Sequence, residues 1–160
     1  MRIALRHRIG RLKFSLVIGT ITKVQGINSA LKDGHHVVMW EFDDFTEAQV
    51  RSALFAAQAF HGLPAIHVSQ SHPGGGYHAY CLARKTFVET LHIVSGTPGV
   101  DPRYIAMCAM RGHWTLRLTD KGQGAPKFLT TLPSGWPEQV SPDEFASAVN
   151  YEVWSVTRLL

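Results

Sequence analysis

Apolar and polar positions along the chain fall into two rhythms, one of period two and one near 3.6, and the alternation of those rhythms predicts its elements. Lys13 to Ile21 is rich in β-branched residues and reads as a strand, and Gly26 to Gly34 reads as a polar connector. The unbroken apolar run Val37 to Trp40 reads as a buried strand leading into Glu41, Phe42, Asp43 and Asp44. Thr46 has the character of an N-cap, with Gln49 completing a capping box. The helix it opens runs to about Phe60, with Val50, Leu54, Ala57 and Phe60 or nearby residues on its buried side, and Gly62 ends it. Ala65 to Gln70 and Tyr77 to Ala83 read as strands of a hairpin around the loop Ser71 to Gly76. Phe87, Val88, Leu91 and Val94 recur at helical spacing within Lys85 to Val94.

Beyond the SGTPG break the reading favours strands. Arg103 to Met110 and Trp114 to Thr119 are taken as a pair joined at Arg111-Gly112, and Phe128 to Leu132 as a further strand after a loop from Lys121 to Lys127. Ser141, Pro142 and Glu144 open a last helix, placed within 138–160, with Phe145, Val149, Val153 and Val156 as its apolar stripe. Strands outnumber helices. The expected class is α+β, an antiparallel or mixed sheet with helices packed on one face, in a single domain spanning 1–160.

Composition sharpens this picture only in places. The 45% hydrophobic content suffices for a core without staples. Cys81 and Cys108 sit in apolar stretches outside any CxxC pair, which argues against a disulfide framework and a zinc site. No run is long enough to span a bilayer, and the interrupted Phe14 to Ile21 run makes a poor signal peptide. A soluble, cytoplasmic protein without membrane contact is expected. The net charge is +4, with a sequence pI of about 9.3. That permits an anionic partner without demanding one. Residues 1–12 read as a basic arm, carrying Arg2, Arg6, Arg8 and Arg11 ahead of Lys13; a solvated, frayed terminus accounts for the same pattern.

Candidate chemistry gathers at three places. Glu41 and Asp43, two apart on a strand, point the same way roughly 7 Å apart along the backbone. Carboxylates so placed suit one hard cation whose shell is completed by water and phosphate oxygens; acids in a solvated loop are the plainer explanation. The SHPGGGYH stretch offers free backbone N–H groups to phosphate, with Ser71, Gly75 and Gly76 in the loop and His78 on the strand behind it. Its plainer explanation is a glycine turn with a satisfied histidine. Asp101 is a third carboxylate, or a turn or cap residue before Pro102. Arg117 and Lys121 are cations suited to a triphosphate, or members of a solvent face.

The order of these elements resembles the catalytic core of the archaeo-eukaryotic primase superfamily, in the primase-polymerase form found in phages and mobile elements. EFD at 41–43 matches the strand motif with two acids one residue apart. SHPGGGYH is similar to the motif of small residues leading to a histidine. VD at 100–101 looks like the third motif, and RGHWTLRLTDK like the segment with Arg and a downstream Lys. The likeness covers roughly Val37 to Lys121. Departures are Glu41 where Asp is usual, a short chain, and no helicase domain, zinc cluster or accessory helical domain.

The resemblance implies an RRM-like palm and a metal-dependent nucleotidyltransferase. Nucleotides would be added to a 3′ hydroxyl on a DNA or RNA template. Glu41, Asp43 and Asp101 would hold Mg²⁺ or Mn²⁺. Ser71, Gly75, Gly76, His78, Arg117 and Lys121 would bind the nucleoside triphosphate. A helicase or other replication protein is an implied partner.

Two other classes compete. His67-Val68-Ser69 and His113-Trp114-Thr115 are H-x-S/T pairs, which on facing strands would make a metal-independent 2H-type phosphoesterase. A non-catalytic domain holding single-stranded nucleic acid would stack bases on Trp40, Phe42, Tyr77, Tyr80 or Trp114, though most of these also suit a core.

Overall fold

The computed structural model describes residues 2–19, 21–120, 122, 124–146 and 148–154; within strands at 2–6, 14–19, 21–22 and 148–154 it describes the backbone alone. It is a mixed α/β fold with several antiparallel sheets and packed helices. The strands and helices, in chain order, are β1 (Arg2–Ile9), β2 (Leu12–Gly19), β3 (Ile21–Asn28), β4 (His36–Phe42), α1 (Glu47–His61), β5 (Ile66–His72), β6 (Gly76–Lys85), α2 (Phe87–Gly96), α3 (Pro102–Arg111), β7 (Thr115–Arg117), β8 (Lys127–Leu132), α4 (Pro142–Phe145) and β9 (Ala148–Trp154).

A four-stranded sheet in the order β4-β6-β5-β8 forms the centre, a three-stranded sheet β7-β3-β9 lies beside it, and among the described residues β1 pairs only with β2. Every strand pair is antiparallel. In the central sheet the pleat sorts side chains cleanly. Trp40 pairs with Ala79 and Val38 with Cys81, so these share one face, and all four are fully buried. The other face carries Met39 opposite Tyr80, Tyr80 opposite His67, and the row Glu41, His78 and Ser69.

Two buried indoles fasten α2. Trp40 donates its Nε1–H to Thr97 Oγ1 at 3.0 Å, and Trp114 donates to Thr90 Oγ1 at 2.8 Å. Each hydroxyl donates in turn to a helix carbonyl, of Ile93 and Phe87 respectively. Ser29, fully buried, joins the two larger sheets. Its N–H donates to Trp114 O, its O accepts from Val37, and its Oγ accepts from the Trp114 N–H. That hydroxyl also lies 2.9 Å from His36 Nδ1. Burial first, then the charges of His113 and His35, holds His36 below the usual histidine range.

Thr46 makes the expected capping box, and Gly62 ends α1 in the left-handed region at φ 60°. The last turn of α1 departs from expectation. Phe60 is 82% exposed, and Gln58, one turn after Leu54, faces inward and donates to the carbonyls of Pro64 and Leu132.

Several expectations are corrected. Residues 103–110 are not a strand hairpinned to β7 but the body of α3. Asp101 caps it, Pro102 occupies its first turn, and Gly112 closes it at φ 73°. Tyr104 and Cys108, four apart, are its buried positions. β7 pairs with β3 instead. Among the described residues, the helix predicted over 138–160 is only α4, ending at Phe145, and 148–154 runs as β9 against β3; Val156 lies outside the described residues. Val149 and Val153, taken as helix-stripe positions, are also compatible with a period of two, and β-branched residues favour the strand. The connector expected over Gly26 to Gly34 begins only after Asn28, because Gly26 to Asn28 pair with β7 as the end of β3; the basic start, read as an arm, forms the β1–β2 hairpin. Among the described residues, no helix is long and apolar enough to cross a membrane.

Candidate functional site

The polar row of the central sheet ends where β4 runs out. Glu41 is directly opposite His78, and its Oε1 lies 3.7 Å from His78 Nε2. His78 is buried, whereas the Glu41 side chain keeps 28% of its exposure. Asp43, just beyond the strand, approaches His72, with Oδ1 3.6 Å from Nε2. The Gly74 N–H donates to His72 Nδ1 at 3.1 Å. Nδ1 is therefore the acceptor, and Nε2 carries its proton toward the Asp43 carboxylate. The result is two carboxylate–histidine couples on neighbouring strands. His72 was not singled out from the sequence; the signal available there was its position immediately before Pro-Gly-Gly-Gly.

The glycine loop is pinned to this edge. Phe45 donates its N–H to Gly75 O at 3.1 Å, and a Cβ on Gly75, where φ is 93°, would stand 2.9 Å from Phe45 O. A Cβ on Gly76 would lie 2.3 Å from the His72 ring and 2.6 Å from Ser71 Oγ. The bareness of Gly76 thus lets His72 and Ser71 fold over the loop. Asp44 turns the chain here in the left-handed region, at φ 62°, which a short polar side chain tolerates.

Asp101 reaches the same edge from far along the chain. Its backbone N–H donates to Glu41 O at 3.0 Å. Its side chain accepts from the Arg103 N–H at 3.0 Å, as the N-cap of α3. Arg117 is buried and bound to carbonyls. It donates to Thr119 O at 2.7 Å, Gly124 O at 2.9 Å and Ser71 O at 2.6 Å, tying β7 and the following loop to the glycine-loop strand. Lys121 lies outside the described residues. Cys108 and Cys81 remain thiols, pushed up to about 11 and about 12 chiefly by burial.

Among the described residues, no group of three or more His, Cys, Asp or Glu side chains is gathered to hold a metal ion. The donors at the edge are nevertheless hard oxygens, partly exposed, from Glu41 and Asp43. Magnesium is commonly held by one or two carboxylates, with water and substrate phosphates supplying the rest. The chemistry of this pair fits such an ion.

The tie made by Arg117 has a measurable weight. Lysine offers one ammonium in place of a planar fork, so Arg117→Lys cannot hold the buried Ser71 carbonyl together with the half-buried Thr119 and exposed Gly124 carbonyls. The expected cost is about 2 kcal/mol, seen as a lower urea midpoint, with faster proteolysis in the 119–124 loop. An unchanged midpoint would show that the fork carries no structural load.

The other sequence candidates are dispersed. His67 and Thr115 lie in different sheets, so the two H-x-S/T pairs do not occupy paired strands. His67 instead packs on Tyr80, with Thr131 Oγ1 at 3.1 Å and Glu138 Oε1 at 3.5 Å. Trp40, Phe42, Tyr77 and Trp114 are core residues. Comparison with protein-family models, curated proteins and solved structures found no match to the chain.

Proposed function

We propose that the Glu41 end of the central sheet is a metal-dependent nucleotidyl-transfer site of primase-polymerase type, on a palm of RRM-like kind. The observation that carries this reading is the bond from the Asp101 N–H to Glu41 O. It joins the first and third acidic motifs at one edge, directly beside the His78 of the second.

Glu41 and Asp43 would hold Mg²⁺ or Mn²⁺, with Asp101 as a third ligand once its carboxylate leaves the Arg103 N–H. When bound, the ion supplies charge neutralisation at the triphosphate and activation of a 3′ hydroxyl. His78 would orient a phosphate oxygen, and Ser71, Gly75 and Gly76 would border the triphosphate. Arg117 would act by holding the strand that carries Ser71, and Lys121 would add a cation. The partners on this reading are nucleoside triphosphates, a DNA or RNA template, and a helicase or other replication protein.

The test is primer extension and dinucleotide synthesis with Mn²⁺, on DNA and RNA templates, by the intact chain and by Asp101→Asn. Asparagine caps a helix as well as aspartate, so the unfolding midpoint should hold to within a few tenths of a kcal/mol. Product from the wild type, falling about tenfold or more in the variant, is expected if the Asp101 charge is used at the site. Equal activity would confine Asp101 to capping. No product from the wild type under any of these conditions would reject the reading.

A further inference from the structure

Cross-strand register draws one row of side chains across a single face of the central sheet. Glu41 on β4 opposes His78 on β6, His78 opposes Ser69 on β5, and Ser69 opposes Phe128 on β8. Directly opposed residues share a face, so all four stand on the same side. Neighbouring strands lie about 4.8 Å apart, which puts the Phe128 backbone about 14 Å from that of Glu41. The row changes character from acid to ring. The Glu41 side chain keeps 28% of its exposure, His78 is buried, Ser69 is half-buried, and Phe128 is 65% exposed. The sheet is irregular at the Phe128 end. Val68 pairs with Thr130 and Ser69 with Phe128, so Leu129 is the extra residue of a bulge. Bulges are frequent beside functional sites, where they re-aim a side chain. The next row on this face has its rings engaged with one another. His67 lies against Tyr80 and Tyr80 against Phe145, with centroids 4.9 and 5.3 Å apart.

We propose that Phe128 is the base-stacking subsite for the nucleotide whose triphosphate is held at the Glu41 end. The inference rests on the reading of that end as a metal and triphosphate site. A ligand lying along the row must be charged at one end and flat and apolar at the other. Hard oxygen donors stand at the Glu41 end, and an exposed aromatic ring stands at a separation comparable with the reach from a nucleotide's outer phosphates to its base. Ser69, between the two, falls where the sugar would lie. Every nucleobase has a π-face, so one phenyl ring accepts any of them without hydrogen-bond readout. A lone exposed phenylalanine is ordinary on a protein surface. What distinguishes this one is its alignment with Glu41 and His78, and the bulge that places it. Trp40, Phe42, Tyr77 and Trp114, the rings favoured for stacking from sequence, are buried and not open to a base.

The experiment is isothermal titration of the intact chain in Mg²⁺, without template or primer, using ATP and ribose 5-triphosphate. The second ligand keeps the sugar and phosphates and lacks the base. The wild type should bind ATP about tenfold more tightly than ribose 5-triphosphate. Phe128→Ala should weaken ATP binding roughly tenfold or more and leave ribose 5-triphosphate binding unchanged. Phe128→Tyr, which keeps a ring, should bind ATP as the wild type does. The urea midpoint of the alanine variant should hold, because the side chain is mostly in solvent. Equal wild-type affinities for the two ligands, or an alanine variant that binds ATP normally, would overturn the subsite and leave the metal and phosphate site standing. An alanine variant that loses both ligands alike would mark a structural role and overturn it too. A wild type that binds neither ligand would overturn the subsite and the site together. Turnover plays no part in the readout, so absence of nucleotidyl transfer leaves each result legible.

Discussion

Nucleotidyl transfer by Glu41→Ala combined with Asp43→Ala is expected to fall about a thousandfold or more while the protein stays folded. The activity loss follows from the chemistry proposed for the edge. A divalent ion contributes several kcal/mol to stabilising developing charge, and each 1.36 kcal/mol is a factor of ten in rate. Without either carboxylate the edge is left with Asp44 in the turn and Asp101 at the cap of α3. The fold should survive because both side chains keep contact with water, at 28% and 49% exposure. Their separations from His78 and His72, 3.7 and 3.6 Å, are longer than hydrogen bonds, so little is lost with them. Single-turnover rates in Mn²⁺, paired with a urea melt of the same sample, separate the two effects. A folded double variant with wild-type activity removes the acids from the chemistry altogether.

Trp114→Ala acts on stability instead, by about 3–5 kcal/mol, which is a large share of the 5–15 kcal/mol typical of a domain. Trp114 is fully buried and its ring lies against Phe87 and Tyr104, with centroids 6.0 and 5.4 Å away. Truncation opens a large cavity and leaves the buried Thr90 hydroxyl without its indole donor. The backbone bonds between Trp114 and Ser29 then have to hold β7 without the ring beneath it. Trp114→Phe, which keeps a ring but loses the N–H, should cost less, about 1–2 kcal/mol. The measurement is the urea midpoint at constant m-value. A loss below 1 kcal/mol for the alanine variant would mean that α2 is not anchored through this residue.

Elements whose cues are local were legible in the chain. The Thr46 box, the Gly62 stop, the hairpin around the glycine loop and the Ser141 box all depend on residues within a few positions of one another. The body of α3 was misread although its ends were marked, because Ile105, Met107 and Cys108 suit a strand as well as a helix. The Asp101-Pro102 start and the Gly112 stop were the better guides. The last strand failed for a different reason. Val149 and Val153 fit either period, and pairing with β3, far away in sequence, selected one.

At the candidate site, the position of His78 on the strand after the loop followed from the sequence; the shared strand face expected for Glu41 and Asp43 did not, because β4 ends at Phe42 and Asp43 lies beyond the pleat. Three things came only with the tertiary structure. Register set Glu41 against His78; the return of the chain before α3 brought the Asp101 N–H to Glu41 O; and burial set Arg117, read as a triphosphate-binding or solvent-face cation, as a tie on backbone carbonyls. A linear chain carries local preferences in its side chains. Which distant groups must share one desolvated space, and so which charges need partners there, is set only when the sheets close on each other.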